Sequence, residues 1–108
     1  MRYALAALLI GLPPAAALAH PCDADAIQRG MPLLKLHFES DDLENAGVDD
    51  TVRQLPPIKA LKGSGRFDVL EVWGHIYKAD YRMRFIYAQI PDSCVLMGQE
   101  ILEASDPY

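Results

Sequence analysis

His20 stands directly after Ala17-Leu18-Ala19, a small-x-small triplet of the kind at which exported chains are cut. Cleavage there makes His20 the first residue of the mature chain. An N-terminal histidine chelates copper(II) through its free amine and its imidazole. His37 and His75 are the candidates for a further nitrogen ligand, and Met31, Met83 and Met97 suit copper(I). No ligand pair at a metal-binding spacing accompanies His20, so a periplasmic copper-binding protein is the alternative reading, not the leading one.

The leading reading rests on a different set. Trp73, His75, Tyr77, Arg82 and Arg84 fall on one side of a segment that reads as paired strands, together with Ile86. Tryptophan, tyrosine and arginine are the types enriched where proteins dock on one another, because each joins a large contact area to a polar group. These five are the candidate partner-binding residues.

Signals for catalysis are missing. There is no Gly-rich phosphate loop, no His-Glu-x-x-His and no Gly-x-Ser-x-Gly. The acidic run at residues 39–50 invites a calcium loop but fails the ligand test. Counted from Asp42, the fifth position is Ala46 and the twelfth is Arg53, where oxygen ligands are required. The sequence therefore predicts a non-enzymatic protein that needs no cofactor.

Residues 1–19 read as a secretory signal peptide: Arg2 before an apolar stretch, Pro13-Pro14, then the cleavage triplet. Histidine and proline, not a small residue, precede Cys22, which argues against lipid attachment. Removing this segment takes away Arg2 and leaves the chain one unit more negative than its formal −5. An acidic chain disfavours nucleic acid and anionic membranes and suits a cationic protein partner. Cys22 and Cys94 are the two cysteines, and an even count in a small exported chain predicts a disulfide between them. The expected location is periplasmic or secreted, with no membrane insertion after cleavage. The expected partner is another envelope protein, with an inhibitor of a cationic hydrolase as the particular form.

The elements that must carry these residues centre on residues 66–90. That stretch holds Trp73, Phe67, Phe85, Tyr77, Tyr81 and Tyr87; only Tyr3, Phe38 and Tyr108 lie outside it. Aromatic and β-branched residues favour a pleated surface, so a hairpin is predicted. No Asn-Gly or Asp-Gly marks its turn, and the expectation is a four-residue loop, Lys78 to Tyr81, which pairs Tyr77 with Arg82 and Val72 with Tyr87. Leu70, Val72, Ile76, Met83, Phe85 and Tyr87 then form a core face. Trp73, His75, Tyr77, Arg82, Arg84 and Ile86 form the opposite one. Which face the helices cover is left open.

Around the hairpin, Asp23 is a helix cap, and Gly30 and Pro32 are expected to split the N-terminal part into one or two helices. Residues 33–38 read as helix in preference to strand, with Leu33, Leu34, Leu36 and Phe38 as its stripe. Gly47 is a candidate helix end. An edge strand follows Pro56-Pro57 near residues 58–61. Residues 94–103 form the last strand, with Val95, Met97 and Ile101 extending the core face. It pairs Tyr87 with Met97, Met83 with Ile101 and Arg84 with Glu100, the last as an ion pair. The predicted fold is α+β: residues 20–108 as one small exported domain, with one or two N-terminal helices packed on a three- to four-stranded antiparallel meander. This element order resembles the small lipoproteins of outer-membrane assembly and the β-lactamase-inhibitor fold. The resemblance implies a helix-helix-β-β-β outline and no functional residues.

Overall fold

A computed structural model describes residues 19–108. The signal peptide read in residues 1–19 therefore lies, except for Ala19, outside the described residues. One helix, α1 (Asp23–Phe38), packs on an antiparallel sheet of five strands: β1 (Ala46–Val48), β2 (Arg53–Lys59), β3 (Arg66–Ile76), β4 (Ala79–Ala88) and β5 (Leu96–Glu103). The α+β architecture is as the sequence predicts.

The sheet runs β3, β4, β5 as a meander. β1 and β2 both lie along the free side of β3. They act as one edge strand broken twice. Its register against β3 slips between Val48 and Arg53, and again between Leu55 and Ile58. The second slip contains Pro56 and Pro57, which have no N–H to give to a ladder. That edge strand was expected to follow the prolines. It includes them instead, because the bulge absorbs them.

α1 is a single helix where a break was expected at Gly30 and Pro32. Pro32 lies on the solvent side, so water can satisfy the Gln28 carbonyl that it leaves without a donor. Gly30 lies on the sheet side and lets the helix come close: a Cβ there would stand 2.8 Å from Val48 Cγ1. The N-cap position belongs to Cys22, not Asp23, and no side chain caps the helix. The C-cap is Glu39, not Gly47, which lies in β1. Ala26, Gly30, Leu33 and Leu34 are buried, the i, i+4, i+7, i+8 stripe of an amphipathic helix. Leu36 and Phe38 were expected in that stripe but are exposed. Phe38 meets Tyr81 edge-on, with ring centres 5.1 Å apart.

The core lies between α1 and one sheet face. Leu34 of the helix and Leu70, Val72, Met83, Phe85 and Tyr87 of the sheet are fully buried there. Truncating Leu34 to alanine would cost about 2–5 kcal/mol, a large share of the stability of a chain this short.

The central hairpin turns on two residues, Tyr77 and Lys78, since Ile76 pairs with Ala79. The predicted four-residue loop was too long. Val72 pairs with Met83 rather than Tyr87, and Trp73, not Tyr77, faces Arg82. Every partner moves by four positions, an even number, so the two faces come out as predicted. Tyr77 supplies the turn with φ 54°, a left-handed conformation uncommon for a bulky side chain.

At the last strand the pairs Met83–Ile101 and Arg84–Glu100 form as predicted. A bulge then pairs Tyr87 with Leu96 instead of Met97. Leu96 and Ile101 pack against the core, while Val95 and Met97 are exposed, against expectation. The predicted disulfide is present: Cys22 and Cys94 are bonded, with Cα atoms 5.7 Å apart. It joins the start of α1 to the connection between β4 and β5.

Candidate functional site

α1 covers the face of Leu70 and Val72. The opposite face carries Trp73, His75, Arg82 and Arg84, and no described element covers it. Residues directly opposite on neighbouring strands share a face, so register alone lays it out as cross-strand rows. One row is apolar: Leu55, Val69, Ile86, Gly98. The next alternates in charge across four strands: Arg53, Glu71, Arg84, Glu100. Beyond it come Trp73, Arg82 and Leu102, and then Gly47, His75 and Asp80. Of the five predicted partner-binding residues, four share this face. Tyr77 does not, because it lies in the turn, where it is 74% exposed and Lys78 Nζ sits 5.5 Å from its ring centre.

Glu71 anchors the middle of the face. It is buried, although no helix lies over it. Arg84 Nε donates to its Oε2 at 3.1 Å and Trp73 Nε1 donates to its Oε1 at 3.2 Å. The Arg84 guanidinium thus goes to Glu71 rather than to Glu100, its predicted ion-pair partner, because Glu71 is the buried carboxylate and has more to lose unpaired. Sequence reasoning missed Glu71. A charged residue at an otherwise apolar position, between Leu70 and Val72, was the available signal. Arg82 lies between Trp73 and Leu102, and its Nε is buried with no hydrogen-bond partner.

At the far end, Asp80 Oδ1 lies 2.6 Å from His75 Nδ1 and Asp49 Oδ1 lies 2.9 Å from Nε2. Two ionised carboxylates on the two ring nitrogens favour the form in which both carry hydrogen, the imidazolium. The Asp80 hydrogen bond raises its pKa; burial opposes this, and Asp49 adds to the rise. The carboxylates engage opposite sides of the ring and do not converge on a common point. No described group of three histidine, cysteine or acidic side chains is placed to hold a metal ion.

His20 lies away from this face, beside the disulfide. Cys22 N–H donates to its Nδ1 at 2.9 Å, so Nε2 carries the hydrogen and donates to Asp68 Oδ2 at 2.8 Å. Gln89 holds the other Asp68 oxygen. These hydrogen bonds and the burial of the groups set the Asp68 pKa; the Gln89 and His20 bonds prevail and lower it. An open cleft of about 530 Å³, bordered by His20, Asp68, Gln89 and Cys94, lies here. Neither ring nitrogen of His20 is free, either to deprotonate a hydroxyl or to take copper without first losing a hydrogen bond.

No protein-family model matches this chain, and neither a curated protein nor a solved structure is found to be similar to it. The helix-helix outline of the outer-membrane assembly lipoproteins and the β-lactamase-inhibitor fold is not reproduced, since the described residues hold one helix.

Proposed function

We propose that this chain is an exported, non-enzymatic binding module that holds another envelope protein, of net positive charge, against the open face of its sheet. The observation that carries the reading is the pairing of Trp73 with Arg82 on a face that α1 leaves uncovered. Arg82 Nε is buried there with no hydrogen-bond partner. A buried donor left unmatched costs about 1–3 kcal/mol, and a turn of the Arg82 side chain toward a docked carbonyl or carboxylate would recover it. Trp73 beside it supplies the apolar area from which a docking hot spot is made. The Cys22–Cys94 disulfide fits an oxidising compartment, and the leader-like segment before His20 fits export. The formal charge of −5 favours encounter with a cationic partner, and a cationic hydrolase held in check is the particular form.

The test is capture from envelope extract by the parent protein and by a Trp73→Ala/Arg82→Ala double variant whose circular dichroism matches the parent. Arg84 is left intact so that the buried Glu71 keeps its ion pair when the Trp73 hydrogen bond is lost. The expected result is a cationic protein retained by the parent and held about tenfold less by the variant. Equal retention by both would remove the site from this face. Retention of no cationic protein would overturn the reading.

A further inference from the structure

β5 is the long free edge of this sheet. It pairs with β4 on one side, and among the described residues no strand lies on its other side. The opposite edge is defended: it is broken in two and carries Pro56-Pro57 in a bulge. β5 has neither device beyond a bulge at Met97, its second residue. From Gly98 to Glu103 it pairs regularly with β4 and contains no proline. A strand of this kind presents outward N–H and C=O groups that another strand can complete.

The rows of the open face state what such a strand must carry. The charged row runs Arg53, Glu71, Arg84, Glu100, positive and negative in alternation, and ends at β5 on an exposed carboxylate. Glu100 makes no hydrogen bond or ion pair among the described residues, since Arg84 is held by Glu71. The next strand in the sheet would therefore set a lysine or arginine opposite Glu100. On one side, the row of Trp73 and Arg82 ends on Leu102, 57% exposed, which calls for an apolar neighbour. On the other, the row of Val69 and Ile86 ends on Gly98. A Cβ built there would lie 3.7 Å from Ile86 Cδ1, so a large apolar side chain from the next strand can lie over the glycine onto Ile86.

We propose that β5 binds an extended segment of a partner protein by strand addition. The segment carries a large apolar residue, a lysine or arginine, and an apolar residue at alternate positions, facing Gly98, Glu100 and Leu102. The cation is central to the pattern, so parallel and antiparallel segments both set it opposite Glu100 and an apolar residue opposite Gly98 and Leu102. A second copy of this chain does not supply it through its own β5. Residues 94–108 contain Glu100, Glu103 and Asp106 and no lysine or arginine, so β5 against β5 meets no cation at any register. This inference rests on the binding-module reading and names the recognition mode, and it uses an edge that the Trp73 and Arg82 substitutions leave intact.

The experiment is a titration of ¹⁵N-labelled protein, purified after expression of the full chain, with two synthetic peptides. One is Ser-Thr-Phe-Thr-Lys-Thr-Val-Thr-Ser with blocked ends; the other replaces its lysine with glutamate. The expected result is amide shifts concentrated in Leu96–Glu103, with the lysine peptide bound about tenfold more tightly than the glutamate peptide. In the Glu100→Lys variant, whose substitution is on an exposed side chain, the order of the two peptides reverses. Equal affinities, shifts centred on Trp73 instead of β5, self-association through β5, or no binding at millimolar peptide would each overturn the proposal. Capture through the open face, lost in Trp73→Ala/Arg82→Ala, can survive any of these, so the two readings fail separately.

Discussion

The phenolic hydroxyl of Tyr87, a fully buried residue of β4, donates to Asp25 Oδ2 in the first turn of α1 at 2.7 Å. Arg29 Nε donates to the same oxygen at 2.7 Å. This is the polar bolt between helix and sheet. Burial pushes the Asp25 carboxyl up, but the Arg29 and Tyr87 hydrogen bonds prevail and hold it below the ordinary carboxylate value. Burial, with the Asp25 hydrogen bond, pushes the Tyr87 hydroxyl far above its ordinary range. Tyr87→Phe keeps the ring and removes the donor. The expected cost is about 1–2 kcal/mol in urea unfolding. Because the folded carboxyl titrates below its unfolded value, its contribution is present above the unfolded pKa and is lost as pH falls through the folded one. The variant should therefore lose less stability than the parent on acidification, and parallel curves for the two would contradict this.

His75 works with the opposite sign. Asp80 and Asp49 raise its pKa above the ordinary value of about 6.5. A group whose folded pKa is raised stabilises fully below the unfolded value, and that stability is lost as pH rises through the folded one. The clamp joins the end of β1 to the start of β4, so it holds the end of the open face that lies nearest the Tyr77 turn. The His75 ring proton should titrate by NMR with a midpoint above 6.5. In His75→Gln, the decline in stability between neutral and mildly alkaline pH should disappear. A midpoint at or below the ordinary value would refute the clamp.

The hairpin was legible because its residues alternate over a long stretch, and alternation decides faces before it decides partners. The register was not legible, because the turn uses Tyr77 at φ 54°, where the chemistry of short turns calls for glycine or asparagine. Gly30 and Pro32 weaken an isolated helix, so the sequence predicts a break there. Tertiary packing overrides that: Gly30 is needed against Val48, and Pro32 faces water. Of the candidate residues, Trp73, His75, Arg82 and Arg84 could be placed on one face by parity alone. That α1 covers the other face follows from packing between distant segments, on which alternation is silent. Glu71 shows in the sequence only as a charge within an apolar run; its role exists only once Arg84 is opposite it.

Glu39 closes α1 in a left-handed conformation, φ 53° and ψ 42°, with Ser40 N–H returned to the Lys35 carbonyl. Glycine is the residue suited to that conformation. Glutamate there also sets a negative charge at the negative end of the helix dipole. Glu39→Gly removes both faults and should raise stability by about 1 kcal/mol, seen as a rise of several degrees in Tm. No rise would mean that the side chain makes a compensating contact.

The Cys22–Cys94 bond spans 72 residues of sequence. Loop-closure entropy assigns such a cross-link about 4 kcal/mol. Reduction, or a Cys22→Ala/Cys94→Ala variant, should lower the unfolding free energy by about that amount and loosen the cleft at His20 first, since the bond anchors both of its sides. A variant as stable as the parent would show that packing of α1 alone orders this end.

Gly30→Ala sets two effects against each other. Alanine favours a helix interior over glycine by about 1 kcal/mol. Its Cβ would stand 2.8 Å and 3.0 Å from the two methyl carbons of Val48, and 3.3 Å from Met83 Cε. Valine is stiff about χ1 and sits in a strand, so relief must come from moving α1 off the sheet or twisting β1. Overpacking costs about 1–3 kcal/mol, so the substitution should destabilise on balance. Gly74→Ala is the comparison. Its Cβ would meet Met83 Cε at 2.9 Å and Leu34 Cδ1 at 3.1 Å, both ends of longer side chains that can swing away. Restoring space with Val48→Ala should rescue Gly30→Ala more than it helps the parent, a positive coupling in a double-mutant cycle. Stabilisation by Gly30→Ala alone would show that the helix lies farther from β1 than 2.8 Å permits.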